Sequence, residues 1–150
     1  MIGHFASGVT VITAQDGETP VGTTASAVAS LSLEPPMVVV CMNRESQTGS
    51  VADRSGRFAI NILGEDQHDL ARHFAGKGGD KFAAIETVPG PHGLPLLEAA
   101  VAHIECSVAE RVPGGTHVVF LAEIESASAR GGAPLAYYRG RFGRFGELEP

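Results

Sequence analysis

Residues 22–42 read GTTASAVASLSLEPPMVVVCM, and two kinds of strand meet in them. The second part, MVVVCM at 37–42, is continuous, apolar and rich in valine, the pattern of a strand buried on both faces. The first part has strand length but almost no bulk. Thr23, Thr24, Ser26, Ser30 and Ser32 carry hydroxyls, with Ala25, Ala27 and Ala29 between them. Such a segment beside core has two readings. It is an edge strand bridged by water, or it leaves room for a flat ligand to approach the main chain. In the second case hydroxyls and amides bond the ligand's polar edge.

Patterns of the β type dominate on both sides of this stretch. GVTVITA at 8–14 places Val9, Val11 and Thr13 on one face, and RFAINIL at 57–63 alternates Phe58, Ile60 and Ile62 with Arg57, Ala59 and Asn61. VAHIECSVAERV at 101–112 and THVVFLAEIESA at 116–127 flank Pro113-Gly114-Gly115, which predicts a β-hairpin. APLAYYRGRFGRF at 133–145 adds a further short strand or two. The 19 glycines in 150 residues exceed the usual share of about 7% and mark many tight turns.

Helical signals are fewer. ESQTGSVADRSG at 45–56 predicts a short helix with Ser46 as N-cap and Gly56 past its end. EDQHDLARHF at 65–74 predicts a second, with Leu70 and Phe74 on one face and Asp66 as its cap; GGDKFAAI at 78–85 offers one more turn. Six or more strands with two or three short helices predict a mainly β, Greek-key barrel or sandwich as one domain over residues 1–150. A doubly wound parallel sheet is excluded, because long helices do not alternate with the strands.

Composition prunes the functions. A net charge of -6, 6% aromatic residues and no Trp leave no basic stripe with stacking aromatics, so no nucleic-acid partner is expected. No apolar run approaches the roughly 20 residues of a membrane span, and the N-terminus lacks a secretion signal. The expectation is a soluble, cytoplasmic protein with no membrane partner. Cys41 and Cys106 lie in apolar runs outside any C-x-x-C, as buried, reduced thiols do. G-x-G-x-x-G, the P-loop, H-E-x-x-H and G-x-S-x-G are all missing, and His68 and His73 are five apart, so no metal is expected.

Three polar segments remain. NRESQTGS at 43–50 follows the buried strand and opens a helix, an end that suits phosphate, with Ser46, Gln47 and Thr48 adding donors; a simply capped helix is the alternative. HFAGKGGDKF at 73–82 sets Lys77 and Lys81 around a glycine turn, either solvated or paired with phosphate. PGGTH at 113–117 puts His117 at a hairpin tip, where it is structural or faces a ligand.

Together FASGVTVIT, VGTTASAVASLSLEPPMVVV, NRESQT, RFAINIL, ARHFAGKGGDKF, GGTHVVFLAEI and LAYYRGRFGRF resemble the flavin reductase-like family over nearly the whole chain. These are small NAD(P)H:flavin oxidoreductases that supply reduced flavin to two-component monooxygenases. The resemblance implies an FMN-binding split β-barrel, usually a homodimer with flavin near the subunit interface. It implies hydride transfer from NADH or NADPH to FMN or FAD, with the chemistry belonging to the cofactors and positioning to the protein. By the same resemblance, Thr23, Thr24, Ala25, Ser26, Ala27 and Ser30 lie along the isoalloxazine and ribityl chain. Asn43, Ser46, Gln47 and Thr48 receive the phosphate. Phe74, Ala75, Lys77 and Lys81 lie near the phosphate, or near the adenylate of FAD. His117, the residue assigned to catalysis, borders the nicotinamide side with Tyr138, Arg139 and Phe142. A partner monooxygenase is implied as well. The alternatives are a pyridoxamine phosphate oxidase-like flavoenzyme and a flavin carrier or redox sensor.

The chain departs from the resembled pattern in places. Relatives commonly carry G-D-H where Gly115-Thr116-His117 stands, and often Ser and an aromatic where Ala27 and Val28 stand. Many have an N-terminal helix before the first strand.

Overall fold

The computed structural model describes residues 1–150. A single 3-10 turn, Ile2–His4, precedes twelve strands and two α-helices. The first strands are β1 (Ser7–Gly8), β2 (Thr10–Asp16), β3 (Thr19–Ala25), β4 (Val28–Leu33) and β5 (Pro36–Asn43). Helix α1 (Gln47–Ser55), β6 (Arg57–Ile62) and α2 (His68–Ala75) follow. The chain ends with β7 (Thr87–Pro89), β8 (Pro95–Leu97), β9 (Ala102–Gly114), β10 (His117–Ala129), β11 (Leu135–Tyr138) and β12 (Arg141–Arg144).

Seven strands form one sheet in the order β3-β2-β6-β9-β10-β5-β4. The low-bulk segment, expected as one strand, is two: β3 and β4 are the opposite edges of that sheet. Only Ser26 and Ala27 join them. Three peptide steps span at most about 11 Å, so the sheet has to curl until its edges nearly meet. The link is pinned on both sides. Thr10 Oγ1 donates to the Ala25 carbonyl at 2.6 Å, and the Cys41 N–H donates to the Ala27 carbonyl at 2.9 Å. The result is the expected split β-barrel.

Alternation along each strand fills the interior. Ile12 and Ala14 of β2, Phe58 and Ile60 of β6, Phe120 and Ala122 of β10 and Val38, Val40 and Met42 of β5 form one core with Val51 and Ala52 of α1. The other face of β2 and β6 is also buried, with Val11, Thr13, Ala59 and Asn61 all inaccessible. Val9 and Val11 join Ala71 and Phe74 of α2 in a second core, and Ala59 packs under Leu94 and Leu96. Asn61, fully buried, donates to the Val11 carbonyl at 2.9 Å and to Thr13 Oγ1 at 3.1 Å, and accepts from the Leu97 N–H at 2.8 Å. It ties the β8 segment to the outside of the barrel.

The helix ends follow local chemistry. Ser46 caps α1 by accepting from the Gly49 N–H at 3.2 Å, and Gly56 ends the helix at φ 72°, both as expected. The cap of α2 is Gln67, not Asp66, and its side chain makes no capping bond. Gln67 instead accepts from the Gly64 N–H and donates to the Ala99 carbonyl, both at 2.6 Å, while Asp66 stays exposed near Arg144. The segment after Gly78 makes a turn rather than a third helix, with Ala84 at φ 61°. Neither helix is long and apolar enough to cross a membrane.

The hairpin turn lies two residues later than expected, at Gly115 and Thr116. Gly115 has φ 66° and Thr116 does not, the pattern of a type II′ turn. Pro113 fits inside β9 because β6 pairs with β9 only as far as Ser107, so the missing N–H there faces no partner strand. Both cysteines are free, but only Cys106 is buried; Cys41 is half-exposed on β5.

Asn61→Ala should lower stability by about 2–4 kcal/mol, because it leaves the buried Leu97 N–H unpaired and opens a cavity. Urea unfolding should show a lower midpoint with an unchanged m-value.

Candidate functional site

A groove of about 660 Å³ opens where three segments meet: the first half of β3, the entry to α1, and the loop after α2. Its floor at β3 is possible because Gly22 has no side chain. A Cβ there would stand 3.0 Å from two ring carbons of Phe74 and 3.2 Å from Phe82. The two rings meet edge-on with centroids 5.2 Å apart. A glycine mid-strand marks such a close approach, and that signal could have added Gly22 to the expected residues.

The entry to α1 presents hydrogen-bond donors. The Ser46 hydroxyl and carbonyl engage the N–H groups of Gly49 and Ser50. The N–H groups of Gln47 and Thr48 have no backbone partner, as the first turn of a helix dictates. Asn43, at the end of β5, accepts from the Glu45 N–H at 2.9 Å and so shapes the bend that leads into the helix. A helix N-terminus with free N–H groups and its positive dipole end favours an anion.

The third wall is the loop from Ala75 to Phe82. Lys77 is exposed along it. Lys81 is half-buried, and its ammonium donates to the carbonyls of Phe74 at 2.9 Å and Gly22 at 3.1 Å. Burial in this wall holds its pKa below the usual lysine value. An ammonium has three donors, so one remains for a ligand. Glu45 and Asp80 also line the groove, and neither was expected from the sequence.

The groove thus brings together Thr23, Asn43, Ser46, Gln47, Thr48, Ala75, Lys77 and Lys81 of the expected residues. Others lie outside it. Thr24 points to the opposite side of β3, where its hydroxyl donates to the Ala71 carbonyl at 2.6 Å. Ala25 packs toward the barrel core. Ser26 and Ala27 form the exposed link between edges, and Ser30 is exposed on β4. Phe74 is fully buried and supports the groove from beneath Gly22. His117 is the first residue of β10, paired in register with Asn43, which places it beside the groove's α1 wall.

Tyr138, Arg139 and Phe142 lie elsewhere on the chain. Phe142 lines a second cleft of about 650 Å³ with Tyr137, His68, Arg72 and Arg144. The Arg72 guanidinium sits 5.3 Å above the Phe142 ring. Tyr138 meets His4 edge-on, and the Arg139 N–H donates to the Gly3 carbonyl at 2.9 Å. His68 opens α2, Arg72 lies in its last turn and Ala75 ends it, so the helix contributes different residues to the two clefts.

Comparison with known proteins matches this arrangement to one family. The flavin reductase like domain family model matches residues 2–146. The chain is 50% identical over 145 residues to the reductase component of a 4-nitrophenol 4-monooxygenase/4-nitrocatechol 2-monooxygenase from Rhodococcus opacus, covering 97% of this chain and 78% of that protein. The structure of nitrilotriacetate monooxygenase component B from Mycobacterium thermoresistibile superposes with a TM-score of 0.94 at 35% identity, over 99% of this chain and 86% of that one. An NADH:FAD oxidoreductase of Streptomyces globisporus, solved in complex with NAD and FAD fragments, superposes at 0.91 and 36% identity, over 97% and 88%. The split barrel, the groove at its α1 end and these matches agree: the chain belongs to the flavin reductase like domain family.

Proposed function

We propose that this chain uses NADH or NADPH to reduce FMN or FAD, as the reductase component that supplies reduced flavin to a partner monooxygenase. The carrying observation is the groove, which the β3 main chain at Gly22 and Thr23 lines together with the free N–H groups of Gln47 and Thr48. A flat ring needs the first and a phosphate needs the second. Family membership and the names of the relatives support an oxidoreductase of this kind.

When bound, the nicotinamide and flavin supply the hydride donor and acceptor. The chain's residues bind and orient. The N–H groups of Gln47 and Thr48 and the Thr48 hydroxyl hold the phosphate, with Lys77 and the remaining donor of Lys81 beside it. Thr23 and the β3 main chain bond the ring or ribityl chain. Ser26, Ala27 and Ser30 continue that wall past Ala25. His117 orients the nicotinamide.

The chain works as a homodimer and as one domain, in the cytoplasm. Tyr138, Arg139 and Phe142 do not line the groove of their own chain, and a two-fold partner would bring a copy of them to the nicotinamide side. Leu31 and Leu33 of β4 are exposed beside Ser30 and give such a partner apolar surface to cover. Light scattering at micromolar concentration should return twice the chain mass; a monomer counts against this assembly.

Purified protein should oxidise NADH rapidly only when FMN or FAD is added. A protein that keeps its flavin but is inert to NADH is a carrier instead. His117→Ala should retain fold and flavin affinity and lower kcat/KM for NADH about tenfold.

The α1 entry separates two effects. Thr48→Ala should weaken FMN binding by about 1.5–3 kcal/mol, the scale of a hydrogen bond to a charged group, and riboflavin binding far less. Ser46→Ala should mainly lower stability, by about 1 kcal/mol, because its hydroxyl is engaged as the N-cap. Equal losses for FMN and riboflavin would place the phosphate elsewhere.

A further inference from the structure

The tip of the long hairpin holds a pair of side chains that the reading above does not use together. The Thr116 hydroxyl lies 2.8 Å from Nδ1 of His117. The backbone fixes both residues. The Thr116 carbonyl accepts from the Arg44 N–H at 2.9 Å, and His117 is paired with Gly114 on one side and Asn43 on the other. The imidazole is exposed, so its outer nitrogen, Nε2, is free to meet a ligand.

The choice of partner at Nδ1 decides what Nε2 can do. A carboxylate only accepts, so it would hold a proton on Nδ1 and leave Nε2 of the neutral ring as an acceptor. A hydroxyl can accept or donate. Donation from Thr116 to Nδ1 puts the proton of the neutral ring on Nε2 and turns that nitrogen outward as a donor. The other elements packed against the hairpin end bring few charges to the ring. Asn43 is neutral, Arg44 and Glu45 follow it, and Arg111 of β9 is held by Asp53.

We propose that Thr116 is a positioning residue: its hydroxyl fixes neutral His117 as the Nε2–H tautomer, which then donates to an acceptor oxygen of the nicotinamide dinucleotide. This rests on the assignment of His117 to the nicotinamide side. It makes Thr116 more than a tolerated replacement at a turn, since any small polar residue would serve the turn alone.

The test uses the full chain with Thr116→Val, which keeps the shape and removes the hydroxyl, Thr116→Ser, which keeps it, and Thr116→Asp, which can only accept. Ring nitrogen chemical shifts of His117, read with the ring neutral, should show Nε2–H in wild type and Thr116→Ser. They should show mixed tautomers in Thr116→Val and Nδ1–H in Thr116→Asp. In parallel, kcat/KM for NADH should fall about fivefold in Thr116→Val, the scale of one neutral hydrogen bond, and recover in Thr116→Ser, with flavin affinity unchanged. With thionicotinamide dinucleotide, loss of the Thr116→Val penalty places the acceptor on the carboxamide, and its persistence places it on the diphosphate; both support the role. An unchanged tautomer in Thr116→Val, or no recovery in Thr116→Ser, overturns it. Should His117→Ala leave NADH kinetics unchanged, the assignment of His117 fails, and the ring shifts still report separately whether Thr116 sets the tautomer.

Discussion

Ser26 and Ala27 are the constraint on which the rest of the molecule depends. They join the two edges of a seven-stranded sheet, and no relaxed open sheet can satisfy that join. Closure follows, and with it an interior that has to be filled from every strand at once. β3 and β4 still pair with one neighbour each, so both edges stay open beyond the link. Ser26 and Ala27 are both exposed, so packing does not dictate their low bulk.

The groove is a consequence of how the ends of that barrel are covered. Helix α1 buries one face, Thr48, Gly49, Val51 and Ala52, and its cap Ser46 lies at the groove. Helix α2 packs Phe74 behind β3, and only glycine at position 22 lets the ring lie so close. Lys81 then fastens the end of α2 to β3 through two carbonyls. Three walls are fixed by three ordinary packing demands, and their intersection leaves main-chain donors facing open space.

Much of this was legible where the cause is local. Ser46 and Gly56 announce α1 because a cap and a left-handed glycine act within one turn. The long hairpin is equally plain, although Pro113 concealed its true end: a proline reads as a turn unless the neighbouring strand is known to stop at Ser107. Asp66 misled because a capping residue is recognised by type, whereas Gln67 took the position through contacts with Gly64 and Ala99. The split of residues 22–36 into opposite edges was invisible, since it depends on which strands lie between them. The family resemblance grouped Thr24 and Phe74 with the binding residues. Alternation turns Thr24 toward Ala71, and Phe74 does its work from behind the wall.

The distribution of charge argues for what kind of site this is. Of the two expected lysines, one is already engaged by carbonyls and half-buried, and Glu45 and Asp80 line the same groove as the other. The ionic attraction for a phosphate is therefore modest, and the main-chain donors of α1 have to supply direction. Such donors are fixed in place by the helix and need no side-chain ordering when a ligand arrives. A groove of this construction grips by geometry more than by charge. That suits a reaction in which the protein's part is to set two cofactor rings at a fixed separation and then let a product leave. The same logic reaches the hairpin: at Thr116 a hydroxyl orients a ring without adding a charge beside an already balanced groove.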